Sequence, residues 1–106
     1  MEAACRGARR QGGLTVGILP GSRLEDANPH VDVVVATGLG NARNVLVVGS
    51  AHAVIALPGG HGTLSEVALG LKMGKRVVLC GEHTWELKGV LRAADAAEAV
   101  KLALGT

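Results

Sequence analysis

Aromatic residues are almost absent from this sequence. Its 106 residues include one Trp and neither Phe nor Tyr. Proteins that bind single-stranded nucleic acid usually stack the bases on aromatic side chains, so the composition argues against that class of function. A hydrophobic core has to be built from Val, Leu, Ile and Ala instead, which suits helices packed tightly on a parallel sheet.

The sequence also lacks a strong excess of charge of either sign. Eleven Lys and Arg against nine Asp and Glu give a formal net charge of +2. This value is too small by itself to indicate a nucleic-acid partner. Arg6, Arg9 and Arg10 form a basic cluster near the N-terminus, which we interpret as a solvated helix face. We therefore expect no nucleic-acid partner.

Cysteine is scarce as well. Cys5 and Cys80 lie far apart, and neither belongs to a CxxC pair, so the sequence contains no zinc or thiol-redox motif. Cys80 ends an apolar run and is predicted to be a buried, reduced thiol, which suits a reducing cytoplasm. The four histidines show no ligand-like spacing, so no metal site is expected.

Membrane-spanning and targeting segments are also missing. No apolar run approaches the roughly 18 residues that cross a membrane, and the first residues lack the apolar region of a signal peptide. We expect no membrane partner and a cytoplasmic location. The length suits a single domain over residues 1–106, and the composition, 48% hydrophobic and 19% charged, is typical of a globular protein.

Short apolar runs alternate with helix-like segments along the chain. The predicted strands are residues 14–19, 31–37, 53–57 and 76–80. The predicted helices are residues 2–10, 41–49, 64–73 and 96–104. Because the strands are continuous apolar runs, they indicate a parallel sheet with helices on both faces, an α/β fold. The run at 53–57 is entirely apolar and is predicted to be a central strand.

The most informative stretch is Pro58-Gly59-Gly60-His61-Gly62-Thr63-Leu64-Ser65-Glu66. We call its first six residues, 58–63, the glycine loop. The loop lies between a buried strand and a helix start, where unpaired backbone N–H groups and the helix dipole attract anions. Ligands of open α/β sheets bind at this carboxyl end of the strands. The stretch therefore predicts a site for an anionic, phosphate-bearing ligand.

Neither of the common phosphate motifs matches the glycine loop. The Walker motif places a lysine after its last glycine, whereas Gly62 is followed by Thr63. The dinucleotide motif requires a third glycine, and counting from Gly60 that position holds Ser65. The glycine loop is therefore a candidate phosphate site because of its backbone N–H groups at a helix start, and not because it matches a named motif.

Two interpretations of Glu66 remain open. Thr63-x-x-Glu66 matches a capping box at a helix start, and the pattern alone favours this structural role. The other interpretation is a general acid or base, or a carboxylate that binds hydroxyl groups beside a sugar phosphate. His61 could donate to a phosphate, although a histidine in an exposed loop more often has no such role.

Arg43 and Asn44 follow the turn Gly38-Leu39-Gly40 and are predicted to lie in the first turn of the helix capped by Asn41. In a parallel sheet this position falls at the same edge as the glycine loop. A guanidinium there could bind phosphate or carboxylate in a bidentate manner, and a solvated helix arginine is an equally good interpretation.

Together these residues resemble those of a known family. Pro58-Gly59-Gly60-x-Gly62-Thr63-x-x-Glu66, preceded by Ala42-Arg43-Asn44, resembles the Lonely Guy, or "lysine decarboxylase-like", superfamily. It is most similar to the branch of molybdenum cofactor carrier proteins, and the resemblance runs from residue 1 to about residue 104. The resemblance implies a Rossmann-like fold and a homo-oligomer.

The resemblance implies two activities. Carrier proteins bind the molybdenum cofactor, a phosphate-bearing pterin, without turning it over. Lonely Guy enzymes hydrolyse the N-glycosidic bond of cytokinin riboside 5′-monophosphates, and there the residues matching Arg43 and Glu66 form the catalytic pair. The Arg43-Asn44 pairing looks more like the carrier branch, whereas the Pro58 opening looks more like the hydrolase motif.

The preferred hypothesis is therefore that the protein binds a phosphate-bearing, nucleotide-like ligand. It would require no cofactor of its own and could carry the molybdenum cofactor as a cargo. The expected ligand-binding residues are Gly59, Gly60, His61, Gly62, Thr63, Arg43 and Asn44. One alternative is a phosphoribohydrolase in which Arg43 and Glu66 are catalytic.

A further alternative is a structural fragment without activity. Members of the family usually carry a preceding segment with a first strand and another glycine-rich turn, whereas this chain opens inside a helix. The expected fold is thus the C-terminal portion of the family fold.

Overall fold

A computed structural model describes residues 1–83 and 86–105 of the chain. The chain folds into two compact units, unit 1 over Met1–Arg43 and unit 2 over Asn44–Thr106. Strands and helices alternate, and all the described strand pairs are parallel. The predicted α/β class is therefore confirmed.

Unit 1 contains one α-helix and a two-stranded parallel sheet. Helix α1 spans Glu2–Arg10, as predicted, and is followed by Gly12 with a φ of +79°. Strand β1 spans Val16–Leu19 and strand β2 spans Val33–Ala36. In the register of this pair, Val16 lies opposite Val33 and Leu19 lies opposite Ala36. Turns of 3-10 helix lie at Leu24–Asp26 and Gly40–Arg43.

Unit 2 contains three α-helices and a three-stranded parallel sheet. The helices are α2 (Asn44–Gly49), α3 (His61–Lys72) and α4 (Ala96–Leu104). The strands are β3 (Ala53–Ala56), β4 (Arg76–Cys80) and β5 (Leu91–Ala93), in the order β3-β4-β5. The chain passes through α3 between β3 and β4, a βαβ crossover that places a helix start at the carboxyl end of β3.

The core of unit 2 lies on both faces of β4. Alternate side chains of a strand point to opposite faces, and the two sets in β4 belong to different buried clusters. Val77 and Leu79 pack with Val67 of α3, whereas Val78 and Cys80 pack with Ala99 of α4. This sheet therefore carries helices on both faces, as the continuous apolar runs predict. Cys80 is a free, buried thiol, as expected.

Several predicted elements are corrected. Residues 53–57 are not a central strand, because β3 lies at one end of the three-stranded sheet and β4 is central. The predicted helix over 41–49 is a 3-10 turn at Gly40–Arg43 followed by α2. The third helix begins at His61 rather than residue 64. Strand β5 is an addition to the predicted elements, since its three residues are too short to form a pattern.

Among the described residues, no helix is both long enough and apolar enough to traverse a bilayer.

Candidate functional site

The carboxyl ends of β3 and β4 bring the glycine loop next to a second turn. Pro58 begins the loop after β3, and Gly81 follows β4 with a φ of +87°. A Cβ on Gly81 would lie 3.0 Å from Pro58 Cγ, so the two turns are in contact. Gly81 is not among the residues predicted from the sequence. Its place directly after an apolar strand, like that of Pro58, is the signal that could have identified it.

The start of α3 presents unpaired backbone donors. Gly60 is the N-cap, and its carbonyl accepts the first bond from Leu64 N at 3.2 Å. The N–H groups of His61, Gly62 and Thr63 have no hydrogen-bond acceptor among the described residues. No acidic residue lies in the first turn of α3. The first turn of α3 thus contributes no negative charge of its own to the positive end of the helix dipole, which favours an anion there.

The three glycines of the loop have different reasons to lack a side chain. A Cβ on Gly59 would collide with the Thr63 hydroxyl, so packing inside the loop requires glycine there. A Cβ on Gly60 or Gly62 would meet no atom within 4 Å. Neither of these two residues has a positive φ. Open space therefore surrounds both positions, and internal packing does not require glycine at either.

The structure removes the capping-box interpretation of Glu66. Because Gly60 is the N-cap and has no side chain, Thr63 lies inside the first turn and cannot cap the helix. Glu66 follows three residues later on the same face of α3 as Thr63. Its carboxylate is half-buried and has no hydrogen bond or ion pair to any described residue. An unpaired carboxylate therefore lies within one helical turn of the glycine loop.

Arg43 lies in unit 1, at the end of the 3-10 turn, and not in the first turn of an α-helix. Its Nη1 donates to the Ile18 carbonyl at 2.7 Å. The neighbouring Leu19 carbonyl faces β2, where it accepts from Thr37 N, so the Ile18 carbonyl faces the opposite edge of β1. The Nε atom of Arg43 is buried without a partner among the described residues. That Arg43 binds a ligand, or takes part in catalysis, stays a prediction.

Asn44 is the first residue of α2 and belongs to unit 2, as the glycine loop does. Only 3% of its surface is exposed, and its Oδ1 is buried without a hydrogen-bond partner in the described part of the chain. Buried side-chain amides are nearly always hydrogen-bonded. The environment of the Asn44 side chain is therefore unusual for an amide.

His61 is exposed at the first position of α3, beside the unpaired N–H groups. Within residues 1–83 and 86–105, no group of three or more His, Cys, Asp or Glu side chains is arranged to hold a metal ion. The candidate site in unit 2 thus consists of the glycine loop, Glu66 and Asn44.

Two solved structures are similar to this chain over nearly all of its length. The chain aligns over 99% of its length with the molybdenum cofactor binding protein of Rippkaea orientalis, with a TM-score of 0.91 and 39% identity, and covers 69% of it. It also aligns with the molybdenum cofactor carrier protein of Chlamydomonas reinhardtii, with a TM-score of 0.78 and 38% identity, over 97% of this chain and 69% of that one.

An uncharacterised protein of Archaeoglobus fulgidus is 51% identical over 78 residues, which are 73% of this chain and 50% of that protein. The chain thus spans about half the length of this curated relative. The predicted resemblance to the Lonely Guy superfamily and its cofactor-carrier branch is confirmed. The family model that matches residues 1–104 is that of the SLOG cluster4 family, and this chain belongs to that family.

Proposed function

We propose that this chain binds a phosphate-bearing, nucleotide-like ligand at the glycine loop and carries the molybdenum cofactor as cargo without turning it over. The observation that carries the proposal is the start of α3, where three successive N–H groups, from His61 to Thr63, have no acceptor among the described residues. Such groups at a helix N-terminus bind phosphate oxygens well. The proposal extends to a cytoplasmic homo-oligomer, as the family resemblance implies.

The open space at Gly60 and Gly62 supports the same conclusion. Glycine is costly in a helix, by about 1 kcal/mol relative to alanine, and Gly62 lies in the first turn of α3. Neither an internal contact nor a positive φ accounts for it. A phosphate that approaches the backbone closely would account for it, because a side chain there would occupy the ligand's place.

The likeness to cofactor-binding proteins supports the choice of cargo. Both solved structures above are described as molybdenum cofactor binding or carrier proteins, and each is at least 38% identical to this chain. The cofactor carries a phosphate on a pterin, so the glycine loop would hold its phosphate.

Calorimetric titration tests the proposal. We expect heat of binding when the 106-residue chain is titrated with purine 5′-monophosphates or with the isolated molybdenum cofactor. Gly62→Ala should weaken binding by about tenfold or more, because the added methyl group displaces the phosphate from the N–H groups. The same variant should unfold at the same or a higher temperature, because alanine has the higher helix propensity.

Gly7→Ala is the matched control. Gly7 also lies in a helix, and its added Cβ would also meet nothing within 4 Å. This variant should gain stability and bind as the unchanged chain does. Absence of binding heat with every ligand, or unchanged affinity in Gly62→Ala, would contradict the proposal.

One observation favours a second candidate, hydrolysis of a nucleoside 5′-monophosphate. The Glu66 carboxylate is half-buried and free of described partners, which suits a group that assists water attack at the anomeric carbon. Chromatography of the chain incubated with AMP or a cytokinin monophosphate would detect released base. Release at the same rate by Glu66→Gln would exclude this role for the carboxylate.

A further inference from the structure

We propose that Gly81 is a positioning residue for the binding site, because its missing side chain leaves Pro58 in the place from which the glycine loop can bind a phosphate. This role rests on the proposed function, since the glycine loop has to bind that phosphate. Gly81 acts through the proline and needs no contact with the ligand.

The turn after β4 meets the glycine loop at a proline ring. A Cβ built on Gly81 would lie 3.0 Å from Pro58 Cγ and 3.3 Å from Pro58 Cδ. Nonbonded carbon atoms attract each other best at about 3.5–4.0 Å. The two turns are therefore too close for a side chain on residue 81 unless the proline ring moves.

Pro58 cannot relieve such pressure by turning its side chain away. Its ring closes on its own backbone nitrogen, through Cδ, and fixes φ at about −65°. Most other side chains would escape a close contact by changing to another rotamer. Pressure on the ring of Pro58 is instead passed to the main chain at the first residue of the glycine loop.

Gly81 is held in place from the side of the sheet. Its N–H donates to the Ala93 carbonyl of β5 at 3.2 Å. The preceding residue, Cys80, lies opposite Ala93 in the strand register. Both residues are buried in one cluster with Ala99 of α4. Because core residues are closely packed and resist displacement, a side chain on residue 81 would move the proline rather than the turn after β4.

The first two residues of the glycine loop pass a displacement on to α3. Pro58 lies against Gly81, and Gly59 packs so closely on Thr63 that a Cβ on Gly59 would collide with the threonine hydroxyl. Thr63 belongs to the first turn of α3, whose N–H groups have no acceptor in the described part of the chain. A shift of Pro58 therefore reaches the phosphate-binding groups through a single residue, Gly59.

Small shifts at this place affect binding because several N–H groups have to point at one group of oxygens. Hydrogen bonds weaken as distance and angle depart from their preferred values, and binding groups have to be held within about 0.5 Å of the productive geometry. A loop that is already in its binding conformation also avoids the cost of being ordered by the ligand. We therefore expect phosphate affinity to depend on Gly81.

Calorimetric titration with AMP and with inorganic phosphate measures this dependence. Gly81→Ala should weaken the binding of both by about fivefold or more. Gly81→Asn adds the same Cβ with less backbone strain, since asparagine adopts a positive φ more readily than alanine. It should weaken binding to a similar extent, and it replaces Gly81→Ala in the comparison if the alanine variant does not fold.

Pro58→Ala removes the ring on which the added Cβ would press. In a chain with Pro58→Ala, the Gly81 substitutions should change the affinity for AMP and phosphate by less than about twofold, because the two positions are coupled through this contact. A glycine that only avoids strain at its φ of +87° would give the same loss of affinity with and without the proline.

Gly74→Ala is the matched control for backbone strain. Gly74 has a φ of +73°, its Cβ would meet nothing within 4 Å, and it follows the end of α3 that is opposite to the glycine loop. This variant should be less stable than the unchanged chain. It should bind AMP and phosphate with unchanged affinity.

The outcomes separate the role of Gly81 from the proposed function. If a folded Gly81 variant binds both ligands as tightly as the unchanged chain, the role is wrong and the proposed function stands. Equal losses with and without Pro58, or an equal loss in Gly74→Ala, would also overturn it.

Failure of both Gly81 variants to fold would show that the turn itself requires glycine, and this too would overturn the role. If the unchanged chain binds neither AMP nor phosphate, the proposed function fails and the role of Gly81 fails with it.

Discussion

Gly81 lies directly against Pro58, where a Cβ on the glycine would be 3.0 Å from the proline Cγ. The turn after β4 thereby supports the turn after β3, and a backbone bond from Gly81 N to the Ala93 carbonyl, at 3.2 Å, ties it to β5. The first residue of the glycine loop thus rests on a turn that is itself anchored in the sheet.

Gly81→Ala should lower the free energy of unfolding by about 1–3 kcal/mol, because the residue combines a φ of +87° with this close contact. Chemical denaturation measures the change. Gly74→Ala is the control, since Gly74 has a φ of +73° and open space at its Cβ. Equal losses in the two variants would show that the contact with Pro58 contributes nothing.

Lys75→Met should destabilise unit 2 by about 1–2 kcal/mol. Its ammonium donates to Ala51 O and Gly49 O, where it also compensates the negative end of the α2 dipole. Urea denaturation of the variant, compared with Lys72→Met, isolates this effect, because Lys72 is exposed on α3 without a described partner. A loss in Lys72→Met as large as that in Lys75→Met would contradict the assignment.

Asp32 should stabilise unit 1 at neutral pH and lose this contribution in acid. The hydrogen bond from Thr15 N holds the pKa of its carboxyl below the usual value, and the Thr15 hydroxyl and Arg9 act in the same direction. A lowered folded-state pKa stabilises the protein above the unfolded-state pKa of about 3.9. This contribution is lost as the pH falls through the folded-state pKa.

The pH dependence of unfolding in Asp32→Asn tests this expectation. The variant should be less stable than the unchanged chain at neutral pH, and the difference should shrink below about pH 4. Asp26→Asn, at an exposed position without a described ion pair, should give no such pH-dependent difference. A constant difference at all pH values would show that the ionisation of Asp32 does not contribute to stability.

Gly70→Ala should also destabilise unit 2, although it improves helix propensity. The added Cβ would lie 2.8 Å from Val77 Cγ2 in the core, and such overpacking costs about 1–3 kcal/mol. Thermal unfolding checks this, with Gly7→Ala as the variant in which only propensity changes. A rise in unfolding temperature in both variants would mean that α3 can move away from the sheet without cost.

The sequence predicts elements well where local signals agree. Helix α4 begins and ends as expected because Asp95 accepts a bond from Glu98 N at 2.9 Å and Gly105 takes up a φ of +80°. The predicted start of α3 is wrong because Thr63 looks like a cap, whereas the backbone of Gly60 begins the helix. Local pattern does not contain the sheet order, so β3 could not be recognised as an end strand.

The candidate site was predictable in part for a similar reason. The glycine loop has a local signature, and its position after β3 follows from the alternation of strands and helices. The burial of Asn44 depends on tertiary packing around α2, and an asparagine at a helix start usually indicates a cap. The contact of Gly81 with Pro58 depends on strand pairing. Neither property can be read from residue types alone.

The position of β4 determines which part of unit 2 should hold together longest. Its backbone is bonded to β3 on one side and β5 on the other, and its last four residues are buried by helices on both faces. Amide hydrogens there can exchange with solvent only when these layers separate together. The amides of Val77 to Cys80 should therefore be the slowest in unit 2 to exchange with deuterium, and their rate should report its global opening.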